Sequence, residues 1–156
     1  VVYEVNLHEC FYALKGHGAF CNDTPIHVSA APSLSQSLIA TGFPYSAFAQ
    51  IDEYLEIMKV LMQKSHGLRR LGSAAADLCY VACGRMDAYF EYNLNSYDVA
   101  AGSLIVQEAG GSILDFDSGL PATVASRDLI VTSPSGRAEL GQEILTILRD
   151  NDCLRY

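Results

Sequence analysis

The chain of 156 residues is half hydrophobic and carries a formal net charge of −8. That supplies enough apolar material for one core and too little positive charge to hold a nucleic-acid backbone or an anionic membrane surface, so neither is expected as a partner. No apolar run approaches the ~20 residues of a membrane span. Five cysteines, odd in number and without paired metal spacing, read as reduced thiols of a cytoplasmic protein.

The chain opens Val1-Val2-Tyr3, already strand-like and without an initiator Met, and a missing N-terminal part is the simplest expectation. Val1 to Val5, Cys10 to Lys15, Ala19 to Cys21 and Ile26 to Val28 are β-prone runs. Polar turns separate them, the last being Asn22-Asp23-Thr24-Pro25, and the pattern predicts an antiparallel meander. Its first strand presents an open edge, through which the isolated chain is expected to associate. Small residues and Pro32 make Ser29 to Gln36 a linker. The expected division is therefore residues 1–36, strands completing another domain's sheet plus linker, and residues 37–156, an α/β domain.

Leu38 to Thr41 is a short buried strand ended by Gly42-Phe43-Pro44. Gln50 to Lys64 is an amphipathic helix with Ile51, Tyr54, Leu55, Met58, Leu61 and Met62 on its packing face. Gly67 to Leu71 is a strand leading into Gly72-Ser73-Ala74-Ala75-Ala76, where an almost wholly apolar helix begins and runs to Cys83. A strand, a glycine turn and a helix start leave backbone N–H groups pointing outward, a mouth suited to an oxygen-rich ligand. On local grounds Ser73 reads first as a plain helix cap. Asp77, inside that apolar helix, reads as structural, paired with Arg69 or Arg70, and Cys79 with Cys83 lacks the further ligands of a zinc site.

Asp87 to Tyr92 alternates as a strand with Ala88, Phe90 and Tyr92 on one face and Asp87, Tyr89 and Glu91 on the other. Asn95 or Ser96 then caps a helix that carries Asp98 in its first turn and stops at Gly110-Gly111. The helix dipole favours a charged carboxylate at position 98. Such a group either caps the helix or ligates a hard cation. Ser112 to Phe116 and Asp128 to Thr132 are strands, and Ser135 caps a last helix, Gly136 to Arg149, with Leu140, Ile144, Ile147 and Leu148 inward. Strands alternating with helices from residue 37 onward predict an α/β (α+β layered) fold, a mixed sheet with helices on its faces.

Tyr97-Asp98-Val99-Ala100-Ala101-Gly102 resembles the C-terminal signature of the inositol monophosphatase family, Trp-Asp-x-Ala-Ala-Gly, with Tyr for Trp. Arg70-Leu71-Gly72-Ser73-Ala74-Ala75, then Cys79, Gly84, Asp87, Tyr89 and Glu91, and later Glu108-Ala109-Gly110-Gly111, are similar to the same family with spacing intact. The family's other metal motifs, a Glu and an Asp-Pro-x-Asp-Gly-Thr segment, do not occur here, so the chain resembles the C-terminal half of such a phosphatase. The resemblance implies a layered α/β/α/β/α architecture, Mg²⁺ as cofactor, Asp98 as a catalytic metal ligand, and Gly72, Ser73, Ala74 and Glu91 as the substrate-binding side. It further implies a homodimer, a small phosphate monoester (an inositol monophosphate) as substrate, and inactivity of this chain alone. Two sister activities share the metal chemistry, on fructose 1,6-bisphosphate and on 3′-phosphoadenosine 5′-phosphate. Outside that class stand a non-catalytic module that binds a partner through the open first strand, and a metal or redox protein built on the cysteines.

Overall fold

The structure, a computed structural model, describes residues 1–31, 33–43, 51–133 and 138–151, the side chains of Ala138 and Glu139 apart. Pro32, Pro44, Gln50, Ser135 and Gly136, all named above, and Cys153, the last of the five cysteines, lie outside the described residues.

The N-terminal meander forms as four strands in sequential antiparallel order, β1 (Val2–Glu4), β2 (Glu9–Ala13), β3 (Ala19–Cys21) and β4 (Thr24–Ile26). The β3–β4 turn is tighter than the sequence implies. Only Asn22 and Asp23 make it, both with positive φ (46° and 64°), and Thr24 and Pro25 belong to the strand. Asn and Asp tolerate the left-handed conformation that a two-residue hairpin requires, and Pro25 is accommodated because β4 is an edge strand. β1 is the other edge of this sheet.

The second sheet has the order β6-β5-β7-β9-β8, from β5 (Leu38–Thr41), β6 (Gly67–Arg69), β7 (Ala88–Glu91), β8 (Ser112–Asp115) and β9 (Leu129–Thr132). β5 runs parallel to β6 and β7, whereas β9 is antiparallel to both its neighbours, so the sheet is mixed. Among the described residues four α-helices accompany the strands, α1 (Ile51–Lys64), α2 (Ala74–Ala82), α3 (Ser96–Glu108) and α4 (Ala138–Asp150), with a single 3-10 turn at Leu34–Gln36.

Two apolar clusters sort the helices by face. Ile39, Ala88, Phe90 and Ile130 pack with Tyr54, Ile57 and Leu61 of α1 and with Leu140, Ile144 and Leu148 of α4. Ala40, Tyr89, Leu129 and Val131, the alternate positions of the same strands, pack with Leu78 and Val81 of α2 and Val99, Ile105 and Val106 of α3. That second cluster also takes in Phe11, Ala19 and Ile26 of the meander. The layers are thus α1/α4, mixed sheet, α2/α3, antiparallel sheet. Each fully buried Leu, Ile or Phe contributes roughly 1.5–3 kcal/mol, so the α2/α3 layer is held firmly from both sides.

Two features lock that layer. A Cβ on Gly102 of α3 would lie 2.6 Å from Leu78 Cδ1 and 2.7 Å from Leu78 Cβ, so only glycine lets α3 approach α2 this closely. Glu108, at the far end of α3, accepts the N–H groups of Gly16 (2.8 Å) and Gly18 (2.9 Å) and ties the β2–β3 turn to the helix.

The packing face of α1 differs from expectation. Tyr54, Ile57 and Leu61 are buried, while Leu55 and Met62 are exposed. Apolar residues surround much of this helix, and the stripe chosen is the one that meets Phe90 and α4.

Candidate functional site

The three parallel strands end side by side. β5 connects to β6 through α1 on one face of the sheet, and β6 to β7 through α2 on the other, so the winding reverses at β5. In open α/β sheets the crevice beyond such a reversal, at the carboxyl ends of the strands, is where ligands bind. Gly42 follows β5 there, Gly72-Ser73-Ala74 follows β6, and Glu91 ends β7 just ahead of the α3 mouth with Asp98.

At the α2 mouth Gly72 has φ +94°, a turn conformation that favours glycine. Ser73 is the N-cap, in extended conformation, with its hydroxyl oxygen accepting the Ala76 N–H at 3.4 Å. That bond is long, so the exposed hydroxyl is only weakly committed to capping. Arg70, just before the turn, lays its guanidinium over the Phe43 ring, 5.3 Å from the centroid, bridging the loops after β5 and β6.

Glu91 is half-buried and held on two sides. Its Oε2 accepts the hydroxyl of the fully buried Tyr89 at 2.6 Å. Across from that, its carboxylate lies against the backbone of Gly42, where a Cβ would overlap Glu91 Cδ and both oxygens. Burial pushes the Glu91 carboxyl above the usual range and Asp98 adds to this, while the Tyr89 hydroxyl and Arg70 oppose it. Burial and the neighbouring Glu91 hold the Tyr89 phenol well above its ordinary value, so it stays a donor.

Asp98 is half-exposed in the first turn of α3, with one oxygen, Oδ2, accepting the Asn95 N–H at 2.9 Å. The approach to this helix is rigid. Asn93, with φ 58°, gives its N–H to Asp128 (2.7 Å) and accepts from Arg127, and Leu94 gives its N–H to the Arg127 carbonyl at 2.8 Å. A shallow depression lined by Leu94, Asn95, Ser96, Val124, Ala125 and Arg127 opens beside this mouth.

Asp77 departs from the sequence reading. It is fully buried, and neither carboxylate oxygen has a hydrogen-bond partner. The expected pairing with Arg69 or Arg70 does not form, because both arginines are exposed and their guanidinium groups lie over the Leu68 carbonyl and the Phe43 ring. Burial, reinforced by the charge of Glu91 and opposed by Arg70, pushes Asp77 up to about 7. A carboxyl in the first turn of an apolar helix is conspicuous in sequence, but nothing there announces that it lacks a partner. Gly42 and Tyr89 were missed as well, since a glycine after a strand and a tyrosine within one carry no sign of the carboxylate they hold.

Among the described residues no three carboxylate, imidazole or thiol groups come together as a metal site. Cys79 is buried and its thiol pushed up to about 12 by burial, the state of an inert packing residue. Of the two carboxylates at this edge, Glu91 is held by the Tyr89 hydroxyl and the Gly42 backbone, and Asp98, on its rigid helix mouth, fits one arm of a Mg²⁺ site, since that ion takes few protein ligands.

A layered α/β fold with polar groups gathered at the carboxyl edge of parallel strands defines the class. The chain belongs to the inositol monophosphatase family, whose model matches residues 1–151. It is 43% identical over 140 residues to the putative Nus factor SuhB of Neisseria meningitidis serogroup B, a match covering 90% of this chain and 53% of that protein. Among solved structures, the extragenic suppressor protein suhB of Bartonella henselae matches with a TM-score of 0.84 and 36% identity, over 94% of this chain and 54% of that one. Inositol monophosphatase from Anabaena (Nostoc) sp. PCC 7120 matches equally, with a TM-score of 0.84 and 36% identity, over 95% and 57%. The chain thus spans about half the length of the relatives it matches. Among the described residues no helix is long and apolar enough to cross a membrane.

Proposed function

We propose that the whole protein to which this chain contributes is a Mg²⁺-dependent phosphatase that hydrolyses an inositol monophosphate to inositol and phosphate in the cytoplasm, working as a homodimer. The observation that carries the reading is the meeting of Gly72, Ser73, Ala74, Glu91 and Asp98 at one strand edge in a chain of this family. Asp98 contributes one metal ligand, and the remaining ligands come from outside this chain. The Mg²⁺ that Asp98 would help to hold would supply positive charge against the phosphate and the departing oxygen.

This chain's own residues serve the alcohol. Glu91 accepts a hydrogen bond from a ring hydroxyl, its orientation set by the Tyr89 hydroxyl and the Gly42 backbone. The outward N–H groups at the start of α2 and the Ser73 hydroxyl complete the wall. Tyr89 satisfies one Glu91 oxygen, and an alcohol lacking the hydroxyl leaves the other without its substrate donor, which is how such a wall discriminates.

A panel of inositol monophosphate, fructose 1,6-bisphosphate and 3′-phosphoadenosine 5′-phosphate, given with Mg²⁺ to the whole protein and to this chain alone, tests the reading. Expected is turnover by the whole protein with preference for the inositol ester, and none by the chain. Preference for either other ester reassigns the substrate, and hydrolysis by the chain alone overturns the division of ligands. A second reading rests on the 43% identity to a putative Nus factor: the whole protein also serves as one. An Asp98→Asn variant that loses turnover yet keeps that role would separate the two functions.

A further inference from the structure

The Glu91 carboxylate lies flat against one backbone position, and that position cannot retreat. Gly42 is one step beyond the Thr41↔Phe90 pair of the β5–β7 ladder, which places it beside Glu91. Its carbonyl is pinned from behind by the hydroxyls of Tyr54 (2.5 Å) and Thr41 (3.2 Å), and Tyr54 is itself buried against the α1/α4 face. On the other side Tyr89, wholly buried, holds Oε2. Glu91 is therefore clamped between two immobile groups, and the clamp closes only because position 42 has no Cβ.

We propose that Gly42 is a specificity-determining positioning residue: its bare backbone sets the depth of the Glu91 carboxylate, and that depth selects a polyhydroxylated, ring-like alcohol over an ester whose leaving group has no hydroxyl to offer. The proposal rests on the reading of Glu91 as the acceptor of a substrate hydroxyl. A methyl group at position 42 drives the carboxylate off the Tyr89 hydroxyl and out into the mouth, so it meets the alcohol at the wrong depth. Compact aryl phosphates make no use of that contact.

The test compares Gly42→Ala, Glu91→Ala and the double variant in the whole protein, with inositol monophosphate and p-nitrophenyl phosphate as substrates. Gly42→Ala is expected to lower the ratio of the two kcat/KM values by about tenfold, the worth of one hydrogen bond to a charged group, and to do so through KM. In the Glu91→Ala background the same change should leave the ratio where it was. Thermal unfolding supplies a readout independent of activity: Gly42→Ala lowers Tm by several degrees when Glu91 is present and much less when it is absent, because the collision has gone. Additive losses in Tm, or an equal shift in the ratio with and without Glu91, overturn the proposal. A parent protein that hydrolyses neither ester overturns the phosphatase reading and the substrate half of the proposal together, while the Tm cycle decides the clamp by itself.

Discussion

Asp98→Asn is expected to lower kcat of the whole protein on the order of 10³-fold, the scale of the several kcal/mol a metal-supported charge supplies. The substitution separates the two jobs of this side chain. Asn keeps an oxygen able to accept the Asn95 N–H, so the α3 cap survives, and the lost interaction with the helix dipole costs only about 0.3–1 kcal/mol. What it loses is the negative charge. Circular dichroism should therefore match the parent and Tm stay within a few degrees of it, and excess Mg²⁺ should not restore the rate. Parental turnover by a folded variant at saturating Mg²⁺ contradicts the role.

The second large effect is on stability and comes from Asp77. Its folded-state carboxyl titrates at about 7 while the unfolded chain's titrates near 3.8. Between these values the unfolded state has released a proton that the folded state retains, so unfolding is increasingly favoured as pH rises. The stability tied to this group is fully present below about pH 4, falls through the window from pH 4 to 7, and levels off above it. At about 1.4 kcal/mol per pKa unit the loss is on the order of 4 kcal/mol. Asp77→Asn removes this dependence: urea unfolding should find the variant close to the parent at pH 4 and more stable by a few kcal/mol at pH 8. The difference between the two proteins is the quantity to read, because Glu91 and Asp128, also raised, add slope of the same sign, and Glu9, lowered by Arg85, adds the opposite. Parallel curves for parent and variant from pH 4 to 8 refute the assignment.

The layers of the fold were legible because each strand and helix of this chain carries its own local signal. The alternation of Ala88, Tyr89, Phe90 and Glu91 predicts a strand with two working faces, and the two faces are found serving two different helical layers. The place of Asp98 in the first turn of α3 was legible for the same reason: a capping residue, an acidic first turn and an apolar run occur together at one point of the chain. Glu91 was reached only through the resemblance, since a glutamate in a strand reads most simply as solvent-facing.

What stayed hidden depends on residues distant in sequence. Gly42 matters because β5 and β7 lie side by side, 49 positions apart by their numbers, and only the pairing of the sheet shows it. Asp77 was assigned an arginine on proximity in sequence, yet a buried helix face gives the long, exposed side chains of Arg69 and Arg70 no route inward. The stripe of α1 was misjudged because Leu55 and Met62 satisfy helical periodicity as well as Ile57 does, and contact with Phe90 and α4 made the choice.

As proposed, Asp98 acts in this site as an inner ligand of a divalent cation. Crystals of the whole protein grown with Mn²⁺ in place of Mg²⁺ test this by anomalous scattering. A peak is expected at roughly 2.2 Å from an Asp98 carboxylate oxygen, inner-sphere distance for a hard cation of this size. Mn²⁺ bound elsewhere in an active crystal, with Asp98 engaged only at the Asn95 N–H, contradicts it.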